Sequence, residues 1–157
     1  MSSKEQSKKL KIILAEDHRA LRKLLLINLR QDDRFELVAE TGNGLEAVAL
    51  VEKLRPDVLI MDIRLPGLEG IEATKKTKAI LPSVKVIVMS MHDDPAHIYE
   101  ALAAGGEGYV VKSGIDDLPQ AIVKVANGEI YLTPPISLDR IVQYQQTNDK
   151  PQLQIHK

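Results

Sequence analysis

Apolar residues are arranged along the chain in two patterns that follow each other five times. Short continuous apolar runs bounded by Pro or Gly are typical of strands buried on both faces of a parallel sheet. Longer stretches with apolar residues every three or four positions are typical of amphipathic helices. These patterns predict strands at about 11–16, 35–40, 57–61, 85–89 and 108–111, and helices at about 18–31, 43–54, 68–80, 95–104 and 116–127.

The helices carry apolar faces and recognisable ends. The second helix stops before Pro56, which cannot continue a helix, and the fifth ends at Gly128 in a predicted left-handed cap. The acidic pair Asp116-Asp117 is expected to cap the start of the fifth helix. The predicted core faces are Leu21, Leu24, Leu25 and Leu29 in the first helix and Leu45, Val48, Ala49 and Val51 in the second.

Strict alternation of strands and helices with short connections predicts an α/β fold, with a doubly wound five-stranded parallel sheet between two helix layers. We expect residues 1–9 to form a disordered lead-in and residues 10–128 to form the domain. Residues 129–157 are expected to be a linker that ends in a mobile tail. Within that linker, residues 136–145 are compatible with one more short helix, and residues 131–135 are expected to be a break.

Composition narrows the classes of function. The 157 residues have a net charge of −1 and only 3% aromatic residues, which argues against a direct nucleic-acid-binding face. The absence of Cys excludes disulfides and thiolate metal sites. The chain has no apolar segment of membrane-spanning length, and its start lacks the apolar stretch of a signal peptide. We therefore expect a cytoplasmic protein without membrane contact.

Chemically useful side chains lie where the predicted strands end. Glu16-Asp17 follows the first strand, Asp62 ends the third, Ser90 the fourth and Lys112 the fifth. Each has an ordinary alternative as a cap, a turn residue or a solvated strand end. Because parallel strands end at one edge of a sheet, the set is expected to form one site.

This set suits the phosphorylation of a carboxylate. An Asp can attack phosphorus and form an acyl phosphate, while carboxylates that hold Mg²⁺ offset the charge of the phosphoryl oxygens. Lys112 can supply an ammonium and Ser90 a hydroxyl hydrogen bond. One alternative is an aspartate-nucleophile phosphatase, but such an enzyme needs a second Asp where this chain has Arg64. Another is a scaffold that works without phosphorylation.

The order and spacing of these residues resemble the receiver domains of two-component response regulators, over about residues 10–128. Asn127 to Pro134 is most similar to the NarL/FixJ-type subgroup, whose members usually carry a LuxR-type DNA-binding domain after a linker. The matching residues are Glu16-Asp17, Asp62 with Leu65-Pro66-Gly67-Leu68-Glu69-Gly70, Ser90, and Gly105-Gly106-Glu107-Gly108-Tyr109-Val110-Val111-Lys112.

The resemblance implies a flavodoxin-like (βα)5 fold with strand order 2-1-3-4-5. It implies that Asp62 accepts a phosphoryl group from a sensor histidine kinase, and that the domain catalyses its own phosphorylation and dephosphorylation without being a conventional enzyme. The implied cofactor is Mg²⁺, with Mn²⁺ as an alternative, and its implied ligands are Glu16, Asp17, Asp62 and the backbone carbonyl of Arg64.

The resemblance also implies a switch. Lys112 contacts the phosphoryl group, Ser90 moves toward it and Tyr109 changes rotamer. The surface of the fourth helix, fifth strand and fifth helix then changes and controls an output, expected to be transcription in the full-length context. A homodimer is compatible with this scheme. DNA would be contacted only through a LuxR-type output domain, because nothing after Gly128 has the length of a helix-turn-helix.

Two residues depart from the usual receiver pattern. Ser113 follows Lys112 where many receivers have Pro with a cis peptide, so no cis bond is expected there. Gly106 stands where Ala is common, which predicts a looser loop before Tyr109.

Overall fold

The computed structural model describes residues 8–154. Residues 1–7 of the predicted lead-in and residues 155–157 of the predicted tail lie outside this range. The strands are β1 (Leu10–Ala15), β2 (Phe35–Thr41), β3 (Val58–Asp62), β4 (Lys85–Ser90), β5 (Gly108–Val111) and β6 (Tyr131–Leu132). The helices are α1 (Arg19–Arg30), α2 (Gly44–Leu54), α3 (Gly70–Ile80), α4 (Pro95–Ala103), α5 (Leu118–Ala126) and α6 (Leu138–Thr147), and a 3₁₀ turn covers Lys112–Asp117.

The strands form one parallel sheet in the order β2-β1-β3-β4-β5-β6. The predicted doubly wound fold is confirmed, with a sixth strand added at the edge of the expected 2-1-3-4-5 order. Residues 131–135 were expected to be a break, yet Tyr131 pairs with Gly108 and Leu132 with Tyr109. A strand of two residues is too short to show any apolar pattern, which explains why the sequence does not predict it.

Helices cover both faces of the sheet, and each face has its own apolar core. One core packs α1 and α5 against alternate strand residues such as Ile12 and Ile60. The other packs α2, α3, α4 and α6 against the intervening residues, such as Ile13 and Leu59. Strands buried on both faces in this way give the continuous apolar runs seen in the sequence.

Two predicted helix faces are partly wrong. In α1, Leu24 is 50% exposed and Leu26 is buried instead. Leucine and isoleucine occupy residues 24–27 without interruption, so the pattern does not show which side faces inward. In α2, Leu45 is 56% exposed and Ala49 is also exposed, while the buried positions are Gly44, Ala47 and Val51.

Helix ends follow the sequence with one exception. Arg55, before Pro56, ends α2 in a left-handed conformation, and Gly128 has a φ of 91° as expected after α5. The exception is α5: Asp117, the residue before the helix, makes no side-chain capping bond within the described structure. The 3₁₀ turn leads directly into the helix there. The cis peptide of residues 8–154 is Pro134–Pro135, so the Lys112–Ser113 bond is trans, as expected.

The segment after Gly128 continues the packed body. Ser137 caps α6 by accepting a hydrogen bond from the Arg140 amide, and Ile141 is fully buried against the core on the α4 side. The helix lies close to the predicted 136–145, but it packs on the domain. Between residues 8 and 154, every helix is too short or too polar to cross a bilayer.

Candidate functional site

Strand register brings the predicted site residues to one edge of the sheet. Ala15 lies opposite Met61, so Glu16 follows β1 beside Asp62 at the end of β3. Ser90 ends β4 opposite Val111, and Lys112 follows directly. The register of these parallel strands therefore places carboxylates, a hydroxyl and an ammonium at neighbouring positions.

The structure brings together the three carboxylates that the sequence singled out. Oxygens of Glu16, Asp17 and Asp62 lie within 4.8 Å of one another. Glu16 is fully buried and Asp62 is 5% exposed, whereas Asp17 is exposed. Glu16 Oε2 accepts a hydrogen bond from the His18 amide at 2.9 Å, and Asp62 Oδ1 accepts one from the Arg64 amide at 3.2 Å.

Lys112 joins the two buried carboxylates. Its Nζ lies 2.9 Å from Asp62 Oδ2 and 2.9 Å from Glu16 Oε1. Burial alone would lower the pKa of Lys112, but hydrogen bonds and charge from Asp62 and Glu16 outweigh it and raise that pKa. Lys112 is therefore charged at neutral pH and supplies one positive charge against three carboxylates.

The donor set fits a divalent cation. Although Glu16 Oε1 is close to Lys112, it accepts no well-angled hydrogen bond from the described residues and is fully buried. Burial raises the pKa of Glu16, and the nearby Asp62 charge raises it further; the His18 amide and Lys112 act in the opposite direction. Hard carboxylate oxygens with excess negative charge are ligands that Mg²⁺ accepts.

Ser90 and Tyr109 are both buried and both contact the loop after β4. The Ser90 hydroxyl accepts a hydrogen bond from the His92 amide at 3.0 Å. The Tyr109 hydroxyl donates to the His92 carbonyl at 2.8 Å. Burial raises the pKa of Tyr109 to about 12, with Ser90 lowering it and Asp94 and Asp93 raising it. The Tyr109 ring is fully buried. It therefore occupies the inward one of the two rotamers between which it is predicted to switch.

Two glycines shape the loop between Asp62 and α3. Gly67 has a φ of 82°, which favours a residue without a side chain. A Cβ on Gly70 would lie 2.4 Å from the Asp62 carbonyl oxygen, so only glycine lets α3 begin this close to β3. A cleft of about 530 Å³ opens beside this loop. Asp17 and Arg64 line it together with His97 and Glu100 of α4.

Sequence reasoning missed several contacts around the site. Arg22 of α1 donates to the Glu16 carbonyl at 2.6 Å. The rings of His92 and His97 stack with centroids 4.7 Å apart, and Asp94 holds His97 Nδ1 at 2.7 Å. The Asp94–His97 spacing of three residues on a helix was the available signal. No sequence signal predicts the His92–His97 stack, because it depends on the conformation of the loop after β4, which no periodic pattern encodes.

Comparison with known proteins matches the part of the chain that contains these site residues. The profile described as "Response regulator receiver domain" matches residues 12–123. The transcriptional regulatory protein DegU of Brevibacillus brevis is 37% identical over 92% of this chain and 61% of its own length. The oxygen regulatory protein NreC of Staphylococcus carnosus is 32% identical over 86% of this chain and 63% of its own length. The chain thus spans about three fifths of these relatives.

Solved structures agree. A LuxR-family two-component response regulator from Aurantimonas sp. SI85-9A1 superposes with a TM-score of 0.78 at 29% identity, covering 90% of this chain and 99% of that one. The isolated REC domain of RcsB from Salmonella enterica serovar Typhimurium, solved with the phosphomimetic BeF3−, gives a TM-score of 0.75 at 30% identity. It covers 85% of this chain and 99% of that chain.

Replacing Glu16 with Gln should change how stability depends on pH. A folded-state pKa above the usual 4.5 means that folding favours protonated Glu16, so its contribution to stability is lost as pH rises through the folded-state pKa. The Glu16→Gln variant lacks this loss. Urea unfolding in EDTA between pH 4.5 and 8 should show the stability of the variant rising relative to the parent with pH. Exposed Glu52→Gln is the control, and a Glu16→Gln difference as flat as the control's would contradict the burial effect.

Proposed function

The chain belongs to the response regulator receiver family, and from that premise we propose that it is a phosphorylation-dependent switch whose phosphoacceptor is Asp62. The observation that carries this proposal is the position of the Asp62 carboxylate. It belongs to the three-carboxylate cluster, and its Oδ2 lies 2.9 Å from the Lys112 ammonium. The neighbouring residues Asp17 and Arg64 line the cleft beside it.

The proposed donor is a phosphohistidine of a sensor histidine kinase. A carboxylate oxygen of Asp62 forms the new bond to phosphorus while the phosphorus–nitrogen bond of the donor breaks, and the bonding pair returns to the imidazole. A carboxylate needs no general base for this attack. Water attacking the same phosphorus would later release phosphate and restore Asp62, which is the self-catalysed dephosphorylation that we propose alongside it.

Bound Mg²⁺ would offset charge on the phosphoryl oxygens. The residues proposed to hold it are Glu16, Asp17, Asp62 and the Arg64 backbone carbonyl. Lys112 would move from the free carboxylate to a phosphoryl oxygen, since its Nζ already lies at hydrogen-bonding distance from Asp62. Ser90 would turn its hydroxyl hydrogen toward another phosphoryl oxygen while keeping its role as an acceptor.

The proposed switch uses the loop that Ser90 and Tyr109 share. Both bond to the His92 backbone, so a displacement of Ser90 changes the position of the Tyr109 acceptor. A phosphoryl group that bonds Ser90 in only one arrangement would then favour that arrangement across β5, α4 and α5.

The output proposed for the longer protein is transcription. The relatives are transcriptional and oxygen regulatory proteins that extend well beyond the matched region. RcsB, one of the structural neighbours, has been solved bound to a promoter. We propose residues 10–128 as the receiver and 129–157 as the connection to a LuxR-type output domain, acting in the cytoplasm, with a homodimer compatible with this role.

Asp62→Asn should abolish phosphorylation, because an amide oxygen is a much weaker nucleophile than a carboxylate. Incubation with acetyl phosphate and Mg²⁺, followed by intact mass, should add one phosphoryl group to the parent and none to the variant. Asp57→Asn is the matched control, since Asp57 is an exposed residue just before the other end of β3. Substantial labelling of Asp62→Asn would reject Asp62 as the acceptor.

Asp17→Ala should weaken Mg²⁺ binding by roughly tenfold or more and slow phosphorylation with it, because a hard oxygen ligand is lost. Calorimetric or NMR titration with Mg²⁺ would measure this. Glu100→Ala removes a charge from the same cleft without touching the three-carboxylate cluster, so it should change affinity about twofold at most. Equal losses of Mg²⁺ affinity in both variants would mean that Asp17 acts only through its charge and is not a ligand.

Ser90→Ala should still accept phosphate but lose much of the conformational response. Removing the hydroxyl deletes both the bond to the His92 amide and the predicted bond to the phosphoryl group. Amide chemical shifts of residues 92–125, with and without beryllofluoride, would measure the response. Exposed Ser113→Ala is the control. A Ser90→Ala response equal to the parent's would make Ser90 a bystander.

A further inference from the structure

Residues 131–154 pass from the edge of the sheet across α4, and we call this segment the strap. We propose that the strap restrains α4 in its present position, opposes the phosphorylated state and loosens when Asp62 is phosphorylated. This inference rests on the proposed function of Asp62, and it assigns a regulatory role to a segment otherwise expected to be a linker.

The strap is attached to α4 by specific contacts. The Tyr99 hydroxyl of α4 donates to the Pro151 carbonyl at 2.7 Å. The Tyr99 ring packs against the Tyr144 ring of α6, with centroids 5.9 Å apart and planes inclined by 51°. The Gln145 side chain is buried and accepts a hydrogen bond from the Leu153 amide at 3.1 Å, which folds the end of the strap back onto α6.

The other end of the strap is fixed to β5, the strand that carries Tyr109. Thr133 Oγ1 accepts a hydrogen bond from the Val111 amide at 3.0 Å, one residue before Lys112. The Thr133 amide donates to the Tyr109 carbonyl at 3.1 Å. The strap therefore connects β5, where the site ends, to the outer face of α4.

A continuous set of contacts leads to α4 from Ser90, the residue after Met89, which pairs with Asp62. Ser90 and Tyr109 both hold the His92 backbone, and the His92 ring stacks on His97 in the first turns of α4. A shift of Ser90 toward a phosphoryl group displaces this loop and, through the stack, the start of α4.

The sign of the coupling follows from this geometry. The strap has one end on β5 and the other on α4, so its contacts with Tyr99 fit one relative position of the two elements. If α4 moves against β5, the directional Tyr99–Pro151 bond and the ring contact are weakened. Coupling of this kind is reciprocal: if phosphorylation favours the loosened strap by a given factor, loosening the strap favours the phosphorylated state by the same factor.

Adjacent glutamines provide a matched test. Gln145 is buried and ties the strap, whereas Gln146 is exposed on the same helix. With Mg²⁺ present, Gln145→Ala should bind beryllofluoride about fivefold more tightly than Gln146→Ala, measured by amide shifts of residues 92–125. Tyr99→Phe, which removes only the hydroxyl, should act in the same direction. In the parent chain, beryllofluoride should accelerate hydrogen exchange of residues 138–147.

The outcomes separate the two proposals. Equal beryllofluoride affinities in Gln145→Ala and Gln146→Ala would overturn the restraint and leave the function of Asp62 standing. A weaker affinity in Gln145→Ala would also overturn it, because the strap would then support the phosphorylated state. If the parent chain neither binds beryllofluoride nor gains a phosphoryl group from acetyl phosphate, both proposals fall together.

Discussion

The Lys112 ammonium, shared between Glu16 and Asp62, is the interaction on which the site depends. Two carboxylates that are almost inaccessible to water would be costly to keep ionised side by side without it. The same ammonium leaves the cluster short of positive charge, since Asp17 adds a third carboxylate. The site thus keeps an excess of negative charge, which fits a divalent cation.

The aliphatic sheet makes this concentration of charge reproducible. β1, β3, β4 and β5 pair in a register that places the ends of four neighbouring strands at the same edge of the sheet. A slip of one residue would move each strand side chain from one apolar core to the other, and the packing of the two cores opposes it. Precision at the polar edge therefore comes from apolar packing below it.

The strands and the site residues could be predicted because their signals are local. Continuous apolar runs mark β1, β3 and β4, and Asp62 and Lys112 stand where such runs stop. The buried face of α1 could not be predicted in full, since the four consecutive apolar residues from Leu24 to Ile27 cover more than one side of the helix. The strand Tyr131–Leu132 and the hydrogen bonds of His92 depend on partners far along the chain, which no local pattern encodes.

Both hydrogen bonds that join the loop after β4 to Ser90 and Tyr109 are made by the main chain of His92. Any amino acid except proline provides the same amide and carbonyl. The side chain at position 92 can therefore change without loss of these two bonds, whereas the stack on His97 requires the ring of His92 itself. One short loop thus joins its neighbours in two ways: through main-chain bonds that tolerate substitution, and through a ring contact that depends on the residue present.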